Sequence, residues 1–386
     1  MLGAGGRKRR ARQAWPARRT SSSTCCSRHR PPHRQADLRG DRGRRWRNRA
    51  HTAHEHTAFY ARVPASLAQV GLDLLADVVT TPAFDVDDVE SERQVILEEL
   101  HLAEDEGDDR DAVAGARGAV GRAPARERGA QFARVHRRHG PGRHRRFFEQ
   151  HYHPSNLVLV AAGGIDHRRV VEAGSGSRPT PAGPVVPIGQ HQWATCRRRP
   201  RRCCAGARAG APGRGVARVP ADGPGSLHAL SVCNQILGGG LSSRLFQEIR
   251  EERGLAYSVF SSVSSYSDAG SVVAYAGTSP DRVGEVHRLI VDTTAELVAH
   301  GVTHREWEVA RGYLEGAALL SLEDSGSVMA RLGNHVCARG TVSPLEVQLA
   351  KLRAVTPDDV HRVAQRLLAH QPAVCAVGPL KPKSLA

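Results

Sequence analysis

Only three stretches of this chain carry the regular apolar spacing from which a core can be assembled: roughly 51–110, 146–172 and 226 to the end. Residues 1–50, about 111–145 and about 173–225 are rich in Arg, Gly, Ala and Pro. They show neither a helical nor a strand period, so at face value they read as disordered linkers. Any core must come from the three patterned stretches. With 386 residues there is enough chain for a substantial one, and length alone suggests two or three domains.

Within 64–79, Leu67, Val70, Leu74, Leu75 and Val78 recur at three- and four-residue steps, the period of an amphipathic helix. A second helix follows, with Asp85 or Asp87 as its cap and Val89, Leu97 and Leu100 as apolar positions. Residues 156–165, NLVLVAAGGI, read as a short buried strand ending in a glycine turn. From 226 a helix runs through Val232 and Ile236 to a Gly238-Gly239-Gly240 break. The next helix, capped by Ser242 or Ser243, reaches Arg253-Gly254. A hairpin pattern around Ser267-Asp268-Ala269-Gly270, further helices from Pro280 and a late strand at 373–378 complete the series. Strands interleaved with helix pairs predict an α+β sandwich.

Charge narrows the functional classes. Of the formal +16, residues 1–50 carry sixteen Lys and Arg against Asp37 and Asp41, and the rest of the chain is nearly balanced. A basic arm of this kind invites a nucleic-acid-binding reading. Against it stand the lack of zinc-finger spacing, of RNA-binding signatures and of interleaved aromatic residues. Nonspecific, salt-sensitive adhesion to nucleic acid is the most such an arm predicts. The eight cysteines include two adjacent pairs, Cys25-Cys26 and Cys203-Cys204, and no CxxC spacing, so neither a disulfide framework nor a zinc ribbon is expected. No run of about 18 apolar residues is present, and the Arg-rich first thirty residues hold no apolar stretch of signal-peptide length. A cytoplasmic protein without a membrane partner is the expectation.

Glu92 and Glu99 lie seven residues, about two turns, apart on the second predicted helix and project from one face. One such carboxylate can be a hard ligand to zinc while its neighbour orients the ligand shell. The bland alternative is a solvated face shared with Glu98, Glu104 and Asp105.

The sequence around these residues resembles the pitrilysin, or insulinase, family (M16) of zinc metallopeptidases, in its bacterial branch similar to mitochondrial processing peptidase. ERQVILEE (92–99) is similar to the family's segment bearing the third zinc ligand. Glu99 matches that ligand and Glu92 the supporting acidic residue. AHTAHEHTAFYARV (50–63) is similar to the strand after the family's zinc helix, and FFEQHYHPSNLVLVAAGGID (147–166) to the end of its first domain. LGGGLSSRLFQEIREERGLAYSV (237–259) looks like the second domain's signature. There an Arg and a Tyr, here Arg250 and Tyr257, hold the substrate backbone and the developing oxyanion. A guanidinium fork and a phenol can both donate to such an oxygen. Tyr257 could instead be a core strand residue.

The resemblance implies Zn2+ held by an inverted HxxEH motif, whose Glu is the general base. No HxxEH occurs in this chain, and HTAHEH (51–56) lacks the spacing, so its histidines read as surface or substrate-facing. Reading Thr20-Ser21-Ser22-Ser23-Thr24-Cys25-Cys26-Ser27 one nucleotide earlier, with suitable synonymous codons, spells HFLEHLLF. The second His of that reading falls near position 24, about 75 residues before Glu99, close to the family spacing. The Arg-rich segments are thus read as out-of-frame translations of GC-rich codons.

The expected organisation is an out-of-frame segment at 1–50 and a zinc domain at 51–172 corrupted over 111–145. A corrupted linker at 173–225 and a second peptidase domain at 226–386 follow. The resemblance implies a LuxS/metallopeptidase-like sandwich of two similar α+β domains that acts on unfolded peptides. It also implies pairing of two half-units, as a homodimer or with a partner. The chain as written is expected to be inactive. A non-catalytic partner subunit or pseudoenzyme of the same family is the main alternative, and a basic nucleic-acid-binding protein the remote one.

Overall fold

A computed structural model describes residues 2–4, 47–53, 55–105, 140–175, 209–210, 226–265, 270–369, 372, 374 and 376. The chain divides into two compact units. The first comprises 1–100, 129–190 and 320–342; the second comprises 101–128, 191–319 and 343–386.

The first unit holds a four-stranded antiparallel sheet of β1 (Leu2–Ala4), β2 (Arg47–Thr52), β3 (Thr57–Arg62) and β4 (Leu157–Leu159), in the order β2-β3-β1-β4. Leu2 pairs with Phe59 on one side and Leu159 on the other. Residues 2–4 and 47–50 are therefore not linker. A strand needs only main-chain groups aligned with an open ladder, and an uncharged Leu-Gly-Ala meets that demand without any periodicity of its own. The stretch 50–63 is a hairpin, not one strand: Ala53 N–H donates to His56 O at 2.8 Å between β2 and β3. β4 is shorter than predicted and only half-buried.

Helix α1 (Ala68–Thr80) buries Leu72, Leu74, Leu75, Val78 and Val79, while Val70, expected on that face, is 41% exposed. Leu74, Leu75 and Val78 are buried as expected, and Val70 lies at the margin of that stripe at about 100° per residue. Helix α2 (Val86–Asp105) starts where Val89 N–H donates to the Asp85 main-chain carbonyl, and Asp87 lies inside the first turn instead of capping it. Between α1 and α2, Phe84 has φ 53, a left-handed conformation disfavoured for a side chain of this size. Its ring is buried edge-on to Phe148 at 5.7 Å, and that packing offsets a strain of about 1–2 kcal/mol. Helix α3 (Pro141–His151) supplies Phe147 and Phe148. With Phe59, Leu75, Val78, Val79, Val89 and Tyr152 these form one aromatic-rich core. Helix α4 (His167–Ser175) packs on α1. One further helix of this unit, Ser325–Arg339, packs on β4 and β1. Asp324 caps it by accepting from Ser327 N–H at 2.8 Å and pairs with Arg62 of β3 at 3.0 Å.

The second unit has a three-stranded antiparallel sheet in the order β5-β7-β6, from β5 (Ala209–Gly210), β6 (Ala256–Ser265) and β7 (Gly270–Thr278). β5 falls in a stretch read from sequence as linker and pairs with the end of β7. The hairpin turn at 266–269 and most of the late strand expected at 373–378 lie outside the described residues. Helix α5 (Ser226–Gly238) packs against β6 with Val232, Cys233, Ile236 and Leu237 buried. At its end the backbones approach so closely that a Cβ on Gly238 would lie 2.5 Å from Ser261 N. Asn234 fastens the same contact, its Oδ1 accepting from Ser261 Oγ at 2.9 Å. Helices α6 (Val283–His300), α7 (His304–Leu320), α8 (the Ser325–Arg339 helix), α9 (Leu345–Arg353) and α10 (Pro357–Leu368) follow, of which α6 and α10 complete this core. Thr356 and Asp359 form a capping box at the start of α10.

Arg244 reaches from the segment after α5 to the α6–α7 turn. It donates to Glu306 at 2.6 and 2.9 Å and to Gly301 O at 2.9 Å. Burial pushes the Glu306 carboxyl up, but the Arg244 and Thr303 hydrogen bonds prevail and hold it down at about 2. A depressed carboxyl contributes stability that is whole above the ordinary value near 4.5 and is lost as pH falls toward about 2. Glu306→Gln is expected to cost about 1–2 kcal/mol at pH 7, and its gap to the parent in thermal melts should shrink as pH drops through that window. Gly238→Ala should cost about 1–3 kcal/mol, because the atom it meets is backbone and cannot rotate away; chemical denaturation followed by circular dichroism reads both effects.

Candidate functional site

Arg250 and Tyr257 lie in the second unit, and the chain departs from regular geometry around each of them. In the β6–β7 ladder Ala256 faces Thr278 and Ser258 faces Gly277, which leaves Tyr257 as an extra residue, a β-bulge. A bulge breaks the strict in-out alternation of a strand. Tyr257 and Ser258 both face out, and Tyr257 is 84% exposed. The reading of Tyr257 as a core strand residue is thereby overturned.

Upstream, Phe246–Glu252 is wound as a π-helix, whose hydrogen bonds span one residue more than those of an α-helix. Neither Ser242 nor Ser243 caps this segment through its hydroxyl: Ser243 offers its main-chain carbonyl to Gln247 N–H, and its buried Oγ has no hydrogen-bond partner among the described residues. The segment closes with Gly254 at φ 58, Gly254 N–H donating to Arg250 O at 3.1 Å and Leu255 N–H to Ile249 O at 2.8 Å. Arg282 donates to Gly254 O at 3.2 Å and Thr278 Oγ1 to Leu255 O at 2.6 Å, tying the connection to the sheet.

The result is a cluster of three side chains. The Arg250 guanidinium carbon lies 4.8 Å from the centre of the Phe246 ring and 4.7 Å from that of Tyr257, within cation–π range. Among the described residues no carboxylate pairs with Arg250, whereas the nearby Arg253 is paired with Glu248. Guanidinium donors and a phenol are thus both available to a ligand's carbonyl or carboxylate oxygen.

Glu92 and Glu99 belong to the first unit. Glu92 is 2% exposed and shares the inward stripe of α2 with Val89 and Ile96, so it does not stand on a solvated face. Glu98, by contrast, is exposed, and so is Glu90, which pairs with Arg93 at 2.8 Å. The Glu99 backbone is helical, two turns beyond Glu92; its side chain lies outside the described residues. So do Thr20–Ser27, where the shifted reading places HFLEH, and His54. His51 on β2 meets His56 at 5.8 Å and Tyr60 at 6.0 Å between ring centres, and partial burial lowers its pKa. Among the described residues no three His, Cys, Asp or Glu side chains converge on a point that could take a metal ion. A catalytic zinc needs three protein ligands, so the described residues do not fit one.

Residues 44–119 match the family model described as Insulinase (Peptidase family M16), and residues 216–314 the one described as Peptidase M16 inactive domain. A relative in Streptomyces coelicolor, named an uncharacterized zinc protease, is 36% identical over 354 residues, covering 86% of this chain and 74% of its own length. This chain belongs to peptidase family M16. A Bacillus subtilis M16 relative, also named an uncharacterized zinc protease, is 30% identical and covers 86% of this chain and 80% of itself. The fold agrees with a peptidase M16 inactive domain from Pseudomonas fluorescens at TM-score 0.83 and 19% identity, over 99% of this chain and 93% of that one. It agrees with a protease from Helicobacter pylori at TM-score 0.82 and 17% identity, over 98% and 92%. The α+β two-domain architecture read from sequence is thus that of M16 peptidases. The names of the relatives imply zinc in them.

Sequence reasoning did not single out Phe246. A signal existed in its spacing, four residues before Arg250 on a helix, which brings the two side chains to one side. Because Tyr257 is 84% exposed, Tyr257→Ala is expected to leave the melting temperature within about 2 °C of the parent, a surface change of under about 0.5 kcal/mol. Glu92→Lys should destabilise the first unit by more than about 3 kcal/mol, since a longer cation would replace a buried carboxylate.

Proposed function

We propose that this chain is an M16 half-unit that binds unfolded peptide through Arg250 and Tyr257 and, as written, does not hydrolyse it. The observation that carries this reading is the pairing of a guanidinium that meets no carboxylate among the described residues with a solvent-facing phenol at a β-bulge. Such a pair suits a main-chain carbonyl, and it would stabilise a developing oxyanion if a nucleophile were supplied nearby. Hydrolysis in the family depends on zinc and a general-base Glu, and HxxEH is absent from this sequence. Glu99 keeps the place of one ligand, with Glu92 buried two turns before it as its support. The frame-slip reading explains how such a chain arises from a zinc-dependent endopeptidase that cleaves unfolded peptides.

A non-catalytic partner subunit is the second reading, favoured by the same missing motif, and in either case two half-units are expected to pair. The purified chain should bind fluorescein-labelled β-casein and leave a quenched peptide uncleaved with or without added zinc. A chain whose codons 10–50 are read in the frame that restores HFLEH should cleave it, with loss of activity in EDTA. EDTA-sensitive cleavage by the chain as written would overturn the proposal. Sequencing the gene separates the two readings: an open frame through HFLEH marks an enzyme, and a confirmed frame as written marks the partner or pseudoenzyme.

A further inference from the structure

We propose that Phe246 is a positioning residue for Arg250, holding its guanidinium by a ring face so that the N–H donors stay free for a peptide oxygen; this rests on the reading of Arg250 as a peptide-binding group. An arginine that must meet a ligand in a fixed place has two common restraints. A carboxylate partner fixes it but occupies its donors and cancels its charge, as Glu248 does for Arg253. An aromatic face attracts the cation through the ring's negative quadrupole and leaves the N–H edge unoccupied. Arg250 has the second kind of restraint, with two rings within 4.8 Å of its guanidinium carbon and no acidic partner among the described residues.

The two rings are not equivalent. Tyr257 is 84% exposed and has little packing to hold it, so it cannot anchor a neighbour. Phe246 is 9% exposed and belongs to the second unit's core with Leu245 and Ile249. Order therefore passes from the core through Phe246 to Arg250, and from Arg250 to Tyr257.

The test is a double-mutant cycle on the full chain, with fluorescein-labelled β-casein binding followed by anisotropy. Phe246→Leu keeps an apolar side chain in the core and removes the ring face; Phe246→Tyr keeps the face. Phe246→Leu should weaken binding about threefold to tenfold in the parent. In an Arg250→Gln background it should change binding less than about 1.5-fold, and Phe246→Tyr should stay within about twofold of the parent. Equal weakening in both backgrounds makes Phe246 a scaffold residue only and overturns the proposal, as does unchanged binding in Phe246→Leu when Arg250→Gln weakens it. If Arg250→Gln itself leaves binding unchanged, the peptide-site reading falls, and the ring restraint is judged by NMR. An upfield ring-current shift of the Arg250 side-chain protons in the parent, persisting in Tyr257→Ala, sustains it. Random-coil shifts overturn it, and this readout needs no Phe246 variant to fold.

Discussion

The approach of α5 to β6 is the constraint on which the second unit's site depends. With no Cβ at Gly238, the helix end settles directly on the backbone of Ser261, and Asn234 fastens the contact by hydrogen bonds. That seating fixes β6 in depth and register, and Tyr257 lies only four residues before Ser261 on the same strand. On the other side of the triglycine, Arg244 ties the entering segment to the α6–α7 turn through Glu306 and Gly301. Between these two anchors the chain takes up two departures of one residue each, a π-winding and a β-bulge, and they bring Arg250 beside Tyr257. Neither departure would persist without rigid structure at both ends, because each costs regular hydrogen bonds.

The first unit uses a different device. Stacked and edge-on aromatic rings from β3, α3 and the α1–α2 connection converge there, with Phe148 against Tyr152 at 4.6 Å and Phe84 against Phe148. Phe84 accepts a left-handed backbone to reach this cluster, which sets the point at which α2 begins. The start of α2 in turn decides which of its residues face inward. Val89, Glu92 and Ile96 do, so one carboxylate shares the inward stripe with two apolar side chains.

Helix existence and order were legible because a 3.6-residue apolar period needs no tertiary information: α1, α2 and α5 lie where the spacing puts them, and several helices follow Pro280 as expected. The width of the buried stripe was less legible. Leu74, Leu75 and Val78 face inward as expected, but Val70, at the margin of that stripe, points outward. Strands β1 and β5 were illegible. Each is three residues or fewer and is recruited by an open ladder, with no side-chain pattern to mark it. Glu92, Glu99, Arg250 and Tyr257 were singled out as candidates through motif resemblance, whereas the sequence alone left open whether Glu92 was solvated and Tyr257 buried.

By itself the sequence determined the family and the missing HxxEH, because both are matters of residue identity and spacing along the chain. Burial and local winding were decided only in three dimensions. Glu92 turned inward because the phase of α2 is set by Phe84 and the core it enters, and Tyr257 turned outward because a bulge shifts one side chain against the pleat. Arg250 came to lie between two aromatic rings for the same kind of reason. Phe246 is its local neighbour four residues away, but Tyr257 was brought to it by the closure of helix onto strand, an outcome that no local spacing encodes.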